Sequence, residues 1–215
     1  MRQVRLAALA AAAALALGAG AHAAAAQAKH QTLVLAGGCF WGMQYVFEHV
    51  AGVTGVTAGY AGGTAQSADY ETVSSGATGE AESVRITFDP AAVSYETLLD
   101  VFFTVAHDPT ELNRQGPDVG TQYRSAVFFA DSAQQRIAQQ VIHRLERSHA
   151  FARPIVTQVA PLTGFLTAEA YHQDYARRHP TDPYIAYNDL PKVPLLKAKF
   201  PQLFRDPGVL AATPQ

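Results

Sequence analysis

A single cysteine among 215 residues excludes an internal disulfide and the small stapled domains that depend on one. It equally excludes a multi-cysteine zinc or iron–sulfur centre. Charge of one sign is also lacking: 16 basic residues against 18 acidic ones leave a net charge of -2, without the basic face of a general nucleic-acid binder. No H-E-x-x-H motif occurs, and His172 and His179 have no carboxylate cluster around them in metal-ligand order. Gly59–Gly63 (G-Y-A-G-G) lacks the Lys-Ser/Thr of a phosphate loop. There is no internal repeat and no sign of a second folded domain. What is present, 48% hydrophobic and 10% aromatic residues, suits a packed globular domain.

The first 23 residues read as a secretory signal. Arg2 and Arg5 precede an Ala/Leu run from Leu6 to Leu17, and Ala21-His22-Ala23 is a small-x-small cleavage site. The run is shorter than the roughly 20 residues of a membrane span, so an uncleaved anchor is the weaker reading. No cysteine lies nearby for a lipid anchor. The expected organisation is a signal over 1–23, a linker over 24–31, one catalytic domain over 32–179 and a Pro-rich tail over 180–215 wrapping it. An Ala-rich signal points to a bacterial envelope protein, periplasmic or secreted, in an oxidising compartment.

Hydrophobic periodicity orders the elements. A buried strand is expected at Thr32–Ala36, a helix from Phe40 to Val50 and a strand at Val53–Tyr60. Ala61–Gly79 reads as a long loop and Glu82–Phe88 as an alternating strand. Ser94 is placed to cap a helix with Leu98, Leu99, Phe102, Phe103 and Ala106 inside. After an irregular stretch, His107–Gln122, come a strand at Tyr123–Ala130 and a helix capped by Asp131 with Ile137, Val141 and Leu145 inside. A strand at Ile155–Val159 and a last helix at Thr167–His179 follow. Seven prolines from Pro180 onward leave the tail extended or only locally helical. Strands and helices mix without strict alternation, which favours an α+β layer over a doubly wound sheet.

Cys39 stands between Gly38 and Phe40, where strand passes into helix. Free backbone N–H groups and the helix dipole there favour a thiolate; an inert buried cysteine is the competing reading. Phe40 and Trp41 are placed to line an apolar pocket beside the sulfur, or simply to pack in the core. Glu82 shares the apolar face of its strand with Val84, Ile86 and Phe88. A carboxyl turned inward loses solvation and holds its proton near neutral pH, as a general acid does; a strand-end residue reaching solvent would not. Tyr70, Tyr123 and Asp118 lie in or beside the long loops, where hydroxyls can donate to a developing oxyanion or serve structure alone.

Gly38-Cys39-Phe40-Trp41-Gly42 resembles the signature of the A-type peptide-methionine sulfoxide reductases. Gly59–Gly63, Thr78–Glu82, His107-Asp108-Pro109, Gln115–Ser125 and Tyr171-His172-Gln173 resemble that family in order, from about Thr32 to Phe204. The resemblance implies a two-layer α+β sandwich of mixed sheet and helices, with a ferredoxin-like core, long functional loops and an open, shallow site. It implies Cys39 as nucleophile, Glu82 as the acid that protonates the sulfoxide oxygen, and Tyr70 and Tyr123 as the phenols that bind it. Phe40 and Trp41 match the walls around the substrate methyl group, and Asp118 a polar residue of the pocket. No metal and no bound cofactor are implied. Protein-bound and free methionine S-sulfoxide are the implied substrates, and a monomer with neither nucleic-acid nor, once processed, membrane partners is expected.

Two departures stand out. Where the family commonly has histidine two residues before the acid, this chain has Glu80, placed to raise the pKa of Glu82 further. The tail around Pro183-Tyr184-Ile185 lacks the resolving cysteines of many members and resembles the branch without them. A sulfenic acid on Cys39 then needs an external thiol: a thioredoxin-like protein, glutaredoxin or dithiothreitol. Three rival functions fit a lone reactive or binding-site cysteine. A cysteine hydrolase would need a histidine base, with His107, His143 and His172 as candidates. A thiol peroxidase would share the sulfenic acid, and a sulfoxide-binding module would carry no catalysis.

Overall fold

The computed structural model describes residues 30–64 and 68–207. The signal sequence, most of the linker and the last eight residues lie outside them. Six strands form one sheet: β1 Gln31–Gly37, β2 Val53–Ala61, β3 Ala81–Phe88, β6 Ser125–Phe129, β7 Gln158–Pro161 and β8 Phe165–Thr167, in the order β7-β6-β1-β3-β2-β8. A two-stranded hairpin, β4 Arg114–Gln115 with β5 Asp118–Val119, stands apart. Every pairing in the large sheet is antiparallel except β6 with β7.

The four central strands form two interleaved crossover units. Helix α1 (Phe40–Glu48) carries the chain from β1 to β2 across β3, and α3 (Tyr95–Val101) starts the crossover from β3 to β6 across β1. This is the split βαβ arrangement of a ferredoxin-like core. Alternation along β3 decides which face the helices cover. Val84, Ile86 and Phe88 are fully buried on the same side as Leu33 and Leu35, and α1, α3 and α4 (Ser132–Arg147) pack there. The opposite face carries small residues, Ala36, Ala61, Ala81 and Ala126, with Val34 and Phe128. The molecule is therefore the expected two-layer sandwich.

Local chemistry fixes the helix starts. Ser94 accepts the Thr97 N–H at 3.0 Å, and Asp131 accepts the N–H groups of Ala133 and Gln134. Past Val101 the helix widens into a π turn over Phe102–Ala106, which keeps Phe102, Phe103 and Ala106 in the core.

Several expectations need correction. The loop after β2 contains a short helix, α2 (Tyr70–Ser74), begun by a capping box at Asp69 and Thr72. Tyr123 belongs to a 3-10 turn rather than to β6, and β7 begins three residues later than its apolar run suggests. Thr167–His179 is no continuous helix. Thr167 pairs with Gly59 in β8, and the Gln173 side chain acts as a strand edge by bonding both backbone groups of Ala58. Asp174 turns left-handed, with φ 56°, before the single turn of α5 (Tyr175–Arg178). The tail contains two helices, α6 (Pro183–Asn188) and α7 (Lys192–Lys199), and then bridges back to the end of α1 where Val50 meets Phe204.

Leu98 sits wholly buried on the inner face of α3, whereas Leu195 on α7 is 39% exposed. Leu98→Ala should lower unfolding free energy by about 2–5 kcal/mol. Leu195→Ala should change it by less than about 0.5 kcal/mol. Urea unfolding of both variants checks the pair.

Candidate active site

The antiparallel register brings the site together. β1 ends at Gly37, opposite Ser125 at the start of β6, and β3 begins beside it with Ala81 and Glu82. Cys39 just after β1, Glu82 at the start of β3 and Tyr123 in the turn before β6 therefore meet at one end of the sheet. Gly38 makes the turn possible in two ways: its φ is +86°, and a Cβ there would fall 2.6 Å from Gln115 Cβ. Gln115 in turn bonds both backbone groups of Asp108, so the hairpin carrying Asp118 is anchored against the turn that carries the thiol.

Cys39 is the N-cap of α1 and is 9% exposed. Its thiol does not rest as the thiolate that its helix-end position favours. Burial, followed by the charges of Glu82 and Asp189, holds its pKa well above the usual thiol value and outweighs the Trp41 N–H. Glu82 is 2% exposed, and its Oε2 accepts the Phe40 N–H, the amide next to Cys39, at 3.1 Å. Loss of solvation is the largest influence on this acid and raises its pKa to about 8, so it carries a proton at neutral pH. Glu80 is not among the main influences on that shift. It turns aside, and its Oε2 accepts the Gly63 N–H at 3.0 Å.

Tyr70, at the start of α2, and Tyr123 are both half-buried, and both phenols are raised by burial and by the charge of Glu82. Asp118 accepts a short hydrogen bond from the Tyr184 hydroxyl of α6, and burial raises its pKa. Phe40 is fully buried against Tyr60, ring centroids 5.8 Å apart, so it backs the site from the core. Trp41 is partly exposed. It stacks on Tyr175 at 3.9 Å and meets Tyr184 edge-on at 6.1 Å. All seven residues expected from the sequence thus lie around one end of the sheet.

Further members of the cluster are not placed in the site by the sequence, although Tyr171-His172-Gln173 lies in a stretch that resembles the family. The Trp41 indole N–H donates to His172 Nδ1 at 3.1 Å, and His172 is 1% exposed between Phe40, Tyr70 and Tyr171. Burial lowers its pKa, so the ring is neutral with its proton on Nε2, 3.9 Å from Glu169 Oε2. Glu169 also accepts the Tyr60 hydroxyl and the Tyr70 N–H, each at 2.9 Å. These residues lie in a segment whose spacing suggests one helix, so no periodicity singles them out. His107 is spoken for by the Phe102 carbonyl and the Ser125 hydroxyl, and burial lowers it to about 4. His143 lies on α4 beside Glu146. Among the described residues no group of three His, Cys, Asp or Glu side chains could hold a metal ion, and no helix is long and apolar enough to cross a membrane.

An α+β domain that sets one thiol on a protonated carboxyl, with phenols around it and no imidazole on the sulfur, has the build of a thiol enzyme. The family profile described as peptide methionine sulfoxide reductase matches residues 31–203. The chain is 53% identical over 180 residues to "Peptide methionine sulfoxide reductase MsrA 2" of Mesorhizobium japonicum, covering 84% of this chain and 92% of that protein. It is 50% identical to the protein of the same name from Synechocystis, covering 82% and 80% of the two chains. Among solved structures it resembles methionine sulfoxide reductase A of Corynebacterium diphtheriae, with a TM-score of 0.67 at 32% identity over 73% of this chain and 78% of that one. The chain belongs to the peptide methionine sulfoxide reductase family of oxidoreductases, on its MsrA side.

A carboxyl raised from 4.5 to about 8 in the fold stabilises it fully only below the unfolded value, and that stability is lost as pH rises toward 8. Glu82→Gln keeps the acceptor for Phe40 N–H but cannot ionise. The melting temperature of the variant minus that of the wild type should grow between pH 5 and 8 and level off above. Thermal melts across that range check it; a difference independent of pH would contradict a buried proton on Glu82.

Proposed function

We propose that the protein reduces methionine S-sulfoxide, free and in proteins, through a sulfenic acid on Cys39 that an external thiol recycles. The observation that carries this reading is the Phe40 N–H to Glu82 bond, which sets a buried carboxyl that still holds a proton at neutral pH at the helix start where Cys39 lies.

The sulfur of Cys39 attacks the sulfoxide sulfur. Glu82 gives its proton to the sulfoxide oxygen, which Tyr70 and Tyr123 hold, and is reprotonated by the proton that leaves the thiol. The oxygen then passes to Cys39. The substrate sulfur gains two electrons, the Cys39 sulfur loses two, and methionine departs from a Cys39 sulfenic acid. Trp41, backed by the buried Phe40, forms the apolar wall for the substrate methyl group, with His172 fixing the indole plane and Asp118 and Tyr184 closing the polar side. Cys39 is the one cysteine of the chain, so an outside thiol condenses with the sulfenic acid and releases water. A second thiol then breaks that mixed disulfide and restores Cys39. A dithiol protein of the thioredoxin or glutaredoxin type supplies both groups, and dithiothreitol replaces it in vitro. Exported by its N-terminal signal, the enzyme repairs oxidised proteins in the periplasm or outside the cell, and it works as a monomer.

A cysteine hydrolase lacks its base here, because His107 is committed elsewhere and His172 accepts from Trp41. A thiol peroxidase would need Cys39 as a resting thiolate, against the burial and acidic neighbours that hold its proton.

With resolved S- and R-methionine sulfoxide peptides and dithiothreitol, methionine should form from the S epimer only. Absence of turnover on the S epimer would refute the reading. Cys39→Ser should abolish turnover, and Glu82→Gln should slow it by about 100-fold or more.

A further inference from the structure

The first turn of α1 holds a second buried acid. Gly42 is its third residue, and a Cβ there would fall 1.9 Å from Asp189 Oδ1 and 2.7 Å from Lys192 Nζ. Only a glycine lets the tail come this close. Asp189 closes α6 and is completely buried. Its Oδ1 accepts from Lys192 at 3.0 Å, while its Oδ2 is buried with no hydrogen-bond partner. A buried carboxyl with one orphan oxygen is costly, so its neighbours must compensate the charge. Burial, the largest influence, pushes its pKa up, and the Lys192 ammonium pulls it only partly back.

That helix end is also the one Cys39 caps. The groups facing the thiol are Glu82 from β3, Asp118 from the hairpin, Asp189 from the tail, and the phenols of Tyr70, Tyr123, Tyr175 and Tyr184. Of the acids, Asp189 ranks second to Glu82 in disfavouring a charge on Cys39. Two anions cannot both use one helix end without mutual cost. The tail acid, paired with Lys192, lies at the same helix end as the thiol, so a negative charge on one raises the cost of a negative charge on the other.

We propose that Asp189, clamped by Lys192 against Gly42, is a positioning residue that keeps Cys39 in its thiol form in the free enzyme. The tail, which carries no cysteine of its own, then governs the reactivity of the one in the site. This inference rests on Cys39 being the reacting thiol, as proposed above.

The test is the pH dependence of iodoacetamide alkylation, which reports Cys39 alone because the chain has no other cysteine. In the full chain, Asp189→Asn should lower the alkylation midpoint by about one pH unit, which is about tenfold faster alkylation at pH values below both midpoints. The double variant Asp189→Asn/Lys192→Met leaves no unpaired ammonium and should shift the same way, while Lys192→Arg should keep the wild-type midpoint. Melting temperatures measured in parallel show the structural part of each change. Wild-type midpoints in both Asp189 variants, even with lowered melting temperatures, would overturn the proposal. Turnover of the S-sulfoxide peptide is read separately, so failure of the reductase reading and failure of this one give different results.

Discussion

The hydrogen bond from the Phe40 N–H to the Glu82 carboxyl joins the two halves of this molecule. The donor is the first free N–H of α1, and the acceptor is the second residue of β3. A helix start leaves such donors unpaired, and a carboxyl sunk between sheet and helix has lost its water. Each satisfies the other. The Cys39 thiol lies at the same helix start, and its burial there is the main reason it keeps its proton. The split crossover topology matters because it makes β3 begin where β1 ends, so the contact forms without long-range distortion.

Around that contact the pocket is assembled from distant parts of the chain. Trp41 comes from the helix, its stacking partner Tyr175 from α5, its edge-on neighbour Tyr184 from α6, and its hydrogen-bond acceptor from the turn at His172. Asp118 is fixed by Tyr184, and Asp189 by Lys192. The tail is thus structural material for the site. It supplies a phenol, Tyr184, and an ion pair, Asp189 with Lys192.

The central strands, the capped helices and the inward position of Glu82 are readable because each follows a local rule. Alternation along Glu82–Phe88 marks one buried face, and Ser94 and Asp131 stand where side-chain oxygens meet orphan N–H groups. The second half of the pocket is not readable in this way. Gln173 bonds Ala58, Asp174 turns left-handed, and His172 is held by an indole 131 positions away. Each departs from helical spacing under tertiary constraint, and none leaves a pattern in nearby residues. The thiol illustrates the same limit. Its place at a helix start is legible, but the burial that reverses the dipole's preference, and the acids from β3, the tail and the hairpin that add to it, are not.

Trp41 is the one tryptophan of the chain, and it is a wall of the pocket, stacked on Tyr175 and bonded to His172. The intrinsic fluorescence of the whole protein is therefore a local signal. Its emission reports a single indole two positions from Cys39. A change in the surroundings of that indole can be followed in real time on the unlabelled enzyme.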